Sequence, residues 1–230
     1  MSKLKCQFHC HTRQDPIDSI RHSERELIDR AAKLGYGALA ISCHNVVIFN
    51  DDLRKYAEKK RILLIPAIEK SIEKRHVLIL NADVEAQNIK SFEELRKYKS
   101  RKKDCFVIAP HPFYPALTSL RNKFEKNIGL FDAVEYSWFH SKKTNKYNEK
   151  AVKTAEKHNL PVIATSDNHI LPYLDHSYSL LDADRNIKSI FDAIKNKRIT
   201  IVSHDLSLSK MLAIYLKMGI SSFVKFFAPG

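Results

Sequence analysis

Six histidines lie beside carboxylates in a serial pattern: His9-Cys10-His11, Cys43-His44, Glu69 followed by His76, His111-Pro112, and Ser166-Asp167-Asn168-His169. Imidazole nitrogens and carboxylate oxygens delivered from separate parts of a chain are the donors from which a multinuclear metal site is built. His9 and His11 are two apart, a spacing that puts both side chains on one face of a strand and within reach of one ion. Asp167 and His169 repeat it after the apolar run Pro161 to Thr165. Glu69 follows Leu63 to Ile68. Its two oxygens can bridge neighbouring metals, an arrangement suited to clamping the attacking and leaving oxygens of phosphoryl transfer.

Most of these groups end a short apolar run, so the elements that position them read as strands. The candidates are Leu4 to Cys10, Gly37 to Ser42, Ile62 to Ile68, His76 to Leu80, Cys105 to Ala109, Asp132 to Tyr136, Pro161 to Thr165 and Arg198 to Val202. Helical patterns lie between several of them, about residues 24–34, 51–60, 92–99, 145–158 and 187–196. The first is well marked: Ser23 can cap it with Glu26 three positions on, and Gly35 suits a left-handed stop. Alternation of strand and helix points to an α/β barrel of about seven strands, with chemistry at the carboxyl ends of the strands. Only His76, at a strand start, breaks that placement.

A chain of 230 residues with 44% apolar content is long enough for one sizeable core. Its net charge of +13 suits an anionic substrate, although the basic residues are spread without a dense run. Four cysteines form no CxxC pair and the first residues lack the apolar stretch of a secretory signal, which favours a cytoplasmic setting. Five glycines and no Gly-rich loop argue against nucleotide binding through a P-loop or dinucleotide fold. Residues 1–205 read as one domain. Residues 206–230 read as an amphipathic helix that packs on the barrel or docks a partner or an anionic membrane surface, with Lys210, Lys217, Ser221 and Lys225 near one face.

The motifs Phe8-His9-Cys10-His11-Thr12, Ala40-Ile41-Ser42-Cys43-His44-Asn45, Pro66-Ala67-Ile68-Glu69, His76-Val77-Leu78, Ala109-Pro110-His111-Pro112 and Thr165-Ser166-Asp167-Asn168-His169 occur in order. Together the chain resembles the PHP (polymerase and histidinol phosphatase) family from Leu4 to about Val202. The resemblance implies a distorted (βα)7 TIM-like barrel and a metal-dependent phosphoesterase site. It also brings in Asp18, of Asp18-Ser19, as a ligand. It implies one metal held by His9, His11, Glu69 and Asp167, a second by Glu69, His76 and His111, and a third by Asp18, His44 and His169. Two or three divalent ions are therefore expected, and mixed imidazole and carboxylate ligation favours Zn, Mn or Fe. The implied reaction is attack on phosphorus by metal-bound water, with Asp167, His169 and Glu69 as supporting ligands.

The expected substrate is a phosphomonoester, either a small metabolite or a nucleotide. The alternatives are a 5'-3' exonuclease on DNA or RNA phosphodiesters and a non-catalytic nucleic-acid-binding or scaffold subunit. Arg13, Lys70 and Arg75 are candidates for binding substrate phosphate. Gln7 stands where many members have Asp, and Cys43 replaces the Asp that commonly precedes the histidine of the second motif; altered hydrogen bonding behind the ligands is expected at both. Glu135, ending its own strand, is expected behind the ligands. His22 and His158 read as structural, and His140 and His176 as loop residues overhanging the site.

Overall fold

A computed structural model describes residues 3–142, 145–214 and 216. Its strands are β1 (Leu4–Gln7), β2 (Ala38–Ile41), β3 (Leu63–Ile72), β4 (Arg75–Leu80), β5 (Phe106–Ala109), β6 (Ala133–Ser137), β7 (Val162–Thr165), β8 (Ser177–Leu181) and β9 (Ile199–Ser203). The helices are α1 (Glu24–Lys33), α2 (Asp51–Lys59), α3 (Phe92–Arg101), α4 (Asn122–Lys126), α5 (Lys146–Lys157) and α6 (Ile187–Lys195). The sheet runs β7-β6-β5-β4-β3-β2-β1-β8-β9. β1, β2 and β3 pair in parallel, as do β5, β6 and β7, so these six point their carboxyl ends to one mouth. β4 is antiparallel to both β3 and β5.

That reversal explains the one histidine that broke the strand-end pattern. β3 turns into β4 through Glu73 and Lys74, both at positive φ (48° and 64°), as a tight hairpin turn requires. A strand running backwards starts where its neighbours end, so His76 opens β4 at the mouth, opposite Ser71 of β3. A ninth strand, β8, occupies Ser177–Leu181, outside the eight expected from the sequence; it runs antiparallel to β1 and to β9.

The barrel is nearly closed. β7 and β8 share no backbone ladder; instead the buried Ser179 hydroxyl of β8 donates to the Ala164 carbonyl (2.9 Å) and accepts from the Ala164 N–H (3.0 Å). Gln7 makes a second stitch. Its amide donates to the Leu174 and Ser177 carbonyls (3.2 and 2.8 Å) and accepts from the Ser166 N–H (3.0 Å) and from Phe8 N–H (3.2 Å).

Inside the barrel, small side chains (Ala38, Ala40, Ala67, Ala133) are interleaved with Phe8, Ile65, Leu78, Phe106 and Ile163. α6 closes the end opposite the mouth by adding Ile190, Phe191 and Ile194 to this core, with the Phe191 and Phe106 rings 4.7 Å apart. α1 and α2 cover one outer flank, where Leu27, Ala31, Leu53 and Ala57 pack on Leu39, Ile41 and Leu64. α3, α4 and α5 cover the other, with Leu95, Phe124 and Ala151 against Ile79, Val107 and Val134. α1 begins at Ser23 with the expected reciprocal cap to Glu26, and Gly35 follows it at φ 77°.

Beyond β9, residues 208–214 are helical, and Leu206 and Ile214 pack on Trp138. Lys217, Ser221 and Lys225, expected on the face of this terminal helix, lie outside the described residues. Among the described residues no helix is long and apolar enough to cross a membrane.

Candidate metal centre

Two backbone bridges beyond the regular strands bring the motifs together. Cys10 pairs in parallel with Asn168: the Asn168 N–H donates to the His9 carbonyl (3.0 Å) and the His11 N–H to the Asn168 carbonyl (3.1 Å). Cys10 and Asn168 thus face one way, and the residues flanking them, His9 with His11 and Asp167 with His169, face the mouth. His44 pairs in the same manner with Glu69, and the Asn45 N–H donates to the Glu69 carbonyl (3.0 Å). His111 and Asp167, at the ends of β5 and β7, adopt positive φ of 28° and 39°. Such a conformation is costly for residues with a Cβ and gathers at functional sites.

The side chains converge on Glu69, which is fully buried. Its Oε2 lies 3.3 Å from His9 Nε2, 3.4 Å from His11 Nε2 and 3.0 Å from His44 Nε2. Its Oε1 lies 2.8 Å from His76 Nδ1 and 3.2 Å from His111 Nε2. Asp167 Oδ1 faces His9 Nε2 and His11 Nε2 at 3.3 and 3.2 Å. Asp18 Oδ2 stands 3.0 Å from His169 Nε2.

All nine residues expected to hold metal therefore meet at one place, but their grouping differs from the expected one. The first expected set, His9, His11, Glu69 and Asp167, presents ligand atoms within 4.8 Å of one another. His44, expected with Asp18 and His169, keeps its Nδ1 3.5 Å from Asp18 Oδ2 but turns its Nε2 to Glu69, and it joins two further such groups, one with His11 and Asp15 and one with Glu69 and His76.

Buried charge governs protonation here. Burial alone would raise Glu69, yet His76, His9, His44 and His111 hold it well below the usual carboxylate range. Asp167 is likewise held well down against burial by His9, His169 and His11. Burial would lower His44, but Glu69 and Asp15 push it up to about 11; His169 is pushed up to about 9 by Asp167 and Asp18 against the same burial.

His9 Nε2, His11 Nε2 and Asp167 Oδ1 are buried with no hydrogen-bond partner among the described residues. A polar atom left this way is costly unless something else satisfies it, and these are the atoms that would ligate an ion. The donor set is imidazole nitrogen with carboxylate oxygen, and among the described residues no cysteine joins the groups that could hold an ion. The other ring nitrogens are braced from behind. His9 Nδ1 donates to Glu135 Oε2 (2.7 Å), whose Oε1 accepts from the His111 N–H (3.1 Å).

His11 Nδ1 donates to Asp15 Oδ2 (2.9 Å). Asp15 had not been singled out in the sequence: it follows no apolar run, and its only prior mark was a carboxylate four residues after His11. His22, read as structural, donates from Nε2 to the His11 carbonyl (2.9 Å).

The three cations expected at a phosphate do not join the cluster. Arg13 is spent on the Arg21 carbonyl (3.1 and 2.6 Å) at the surface. Lys70 follows Glu69 in a strand and so projects to the opposite face, buried beside Lys90. Arg75 donates to the Leu117 and Ser119 carbonyls.

Gln7 and Cys43 act beside the candidate ligands rather than on their side chains, Gln7 accepting from the N–H groups of Phe8 and Ser166, which precede His9 and Asp167. Gln7 belongs to the barrel stitch, and the Cys43 thiol, pushed up to about 12 by burial, contacts Thr12 Oγ1 at 3.4 Å. His140 and His176 sit apart from the cluster, around Trp138 and Ser203.

Residues 145–199 match a family model described as PHP-associated. A 65-residue stretch is 37% identical to the PolC-type DNA polymerase III of Staphylococcus saprophyticus, spanning 28% of this chain and 4% of that polymerase. The fold is similar to a two-domain protein of Bacteroides vulgatus containing a predicted PHP-like metal-dependent phosphoesterase (TM-score 0.67, 21% identity, 94% of this chain and 70% of that one). It is also similar to a lesion-specific endonuclease of Pyrococcus furiosus (TM-score 0.59, 14% identity, 92% of this chain and 66% of that one).

A nearly closed α/β barrel carrying a histidine and carboxylate cluster at its mouth defines the class of protein. Within that class, residues 145–199 resemble the PHP-associated family, and the barrel is similar in fold to a PHP-like protein.

Proposed function

We propose that the chain is a metal-dependent hydrolase of phosphate esters, acting on a phosphomonoester of a small metabolite or a nucleotide. The observation that carries this reading is Glu69, whose two buried oxygens each face a different set of imidazoles beside the unpartnered atoms of His9, His11 and Asp167. Two or three bound divalent ions, Zn, Mn or Fe, would activate water and neutralise charge on the phosphoryl oxygens. The protein's own part is to fix the ligand set. Glu135 holds His9, Asp15 holds His11, and the strained turns at His111 and Asp167 aim those side chains inward. With Arg13, Lys70 and Arg75 engaged elsewhere, recognition of phosphate falls to the metal positions.

A nucleic-acid strand is the second substrate class. Likeness of fold to a lesion-specific endonuclease and the net charge of +13 favour it. Hydrolysis of a chromogenic phosphomonoester is to be compared with cleavage of labelled DNA and RNA oligonucleotides, each in Mn and in chelator. Metal-dependent release from the monoester is expected. His111→Ala should lower it by more than the roughly 10- to 100-fold typical of losing an outer partner of a metal ligand. Cleavage of oligonucleotides alone would move the assignment to a nuclease. Identical behaviour of wild type and His111→Ala in every assay would leave a non-catalytic binding or scaffold role.

A further inference from the structure

We infer that Asp15 is the positioning residue that commits His44 to the Glu69 and His76 side of the cluster. The inference rests on the metal-binding half of the proposed function. Asp15 is almost completely buried in the loop after β1. Its Oδ2 accepts from His11 Nδ1 (2.9 Å), from His44 Nδ1 (2.9 Å) and from the His44 backbone N–H (2.8 Å). Its Oδ1 accepts from the backbone N–H groups of Ile17 (2.8 Å) and Asp18 (2.9 Å).

One carboxylate is thus held by three backbone donors and in turn holds two rings. With three backbone N–H groups donating to its two oxygens, it meets both rings as an acceptor. Both rings must therefore carry a proton at Nδ1, which leaves Nε2 as the ligating atom of each. For His11 that atom faces Glu69 Oε2 and Asp167 Oδ1. For His44 it faces Glu69 Oε2 at 3.0 Å, while Asp18 Oδ2 stands 3.5 Å away on the side already taken by Asp15. His44 can serve Asp18 and His169 only through Nδ1, and Asp15 occupies that nitrogen.

Two measurements test this. In zinc-loaded protein with 15N-labelled histidine, long-range 1H–15N spectra should show His11 and His44 protonated at Nδ1 and ligated at Nε2. His44 ligated through Nδ1 overturns the inference, and this arm needs no variant to fold. Separately, zinc uptake by wild type, Asp15→Ala and Asp15→Asn is compared by chelator competition. Asp15→Ala is expected to bind about 10- to 100-fold more weakly, and Asp15→Asn, which keeps a carbonyl acceptor, less so. Unchanged zinc affinity with only a lowered melting temperature would make Asp15 a structural residue and overturn the assignment. If zinc uptake depends on Asp15 while no phosphate ester is hydrolysed, the proposed function fails and this inference stands.

Discussion

Gln7 donates two hydrogen bonds and accepts two in a site with no exposure, and only a neutral amide can do both. A carboxylate there would face the Leu174 and Ser177 carbonyls with no proton to offer. Gln7→Glu should therefore destabilise the fold by at least about 2 kcal/mol, read by urea unfolding, with metal affinity per folded molecule unchanged. The histidines supply a signed pH effect. His44 and His169 reach about 11 and about 9 in the folded chain, above the ordinary 6.5 of imidazole. In chelator, the stability they contribute is fully present below about pH 6.5 and is lost as pH rises through about 9 and then about 11. Metal displaces those protons, so its apparent affinity rises over the same range. Melting temperatures measured from roughly pH 6 to 10 with and without zinc should diverge as pH rises. Parallel curves would count against protonated imidazoles in the empty cluster.

At the level of strands and helices, most of the candidate site was legible because its residues ride on apolar runs that read plainly. His9, His11, Glu69, Asp167 and His169 each end such a run. What stayed hidden depends on pairing, which no local pattern carries. His76 looked misplaced until β4 proved antiparallel, and β8 was lost because Ser177–Leu181 is short and rich in serine. Asp15 escaped notice because its partners lie up to 29 residues away, across β1 and β2. The grouping of ligands also could not be read, since it turns on which ring nitrogen His44 presents. The gap between β7 and β8 provides a test at this scale. Ser179→Ala strips the Ala164 N–H and carbonyl of their buried partner and should cost about 1–3 kcal/mol in urea unfolding. A loss under roughly 0.5 kcal/mol would mean that the barrel closes by packing alone.

For the whole molecule, metal binding at the proposed centre and folding would be one equilibrium, because the candidate ligands come from β1, β2, β3, β4, β5 and β7 or the loops that follow them and meet only in the folded chain. Free zinc or manganese at 100 times its dissociation constant should add about 2.7 kcal/mol of stability. For a chain of this size that is a rise of roughly 5 to 10 °C in melting temperature, removed by chelator. A scan that does not respond to metal would argue against the cluster as a metal centre. α6 seals the opposite end of the barrel with Ile190, Phe191 and Ile194, so ions and a substrate of the proposed kind would enter by the mouth.

The bridge between Cys10 and Asn168 also bears on how the protein is made. His169 meets Asp18 across 151 residues of chain, and His9 and His11 wait longer still for Asp167. At a ribosome speed of about 5–20 residues per second, that separation is roughly 8 to 30 s of synthesis during which the first histidine pair has emerged and its carboxylate partner has not. A nascent chain can therefore hold metal only loosely. A metal centre of the proposed kind would be loaded after, or just as, the segment following β7 pairs with the segment following β1.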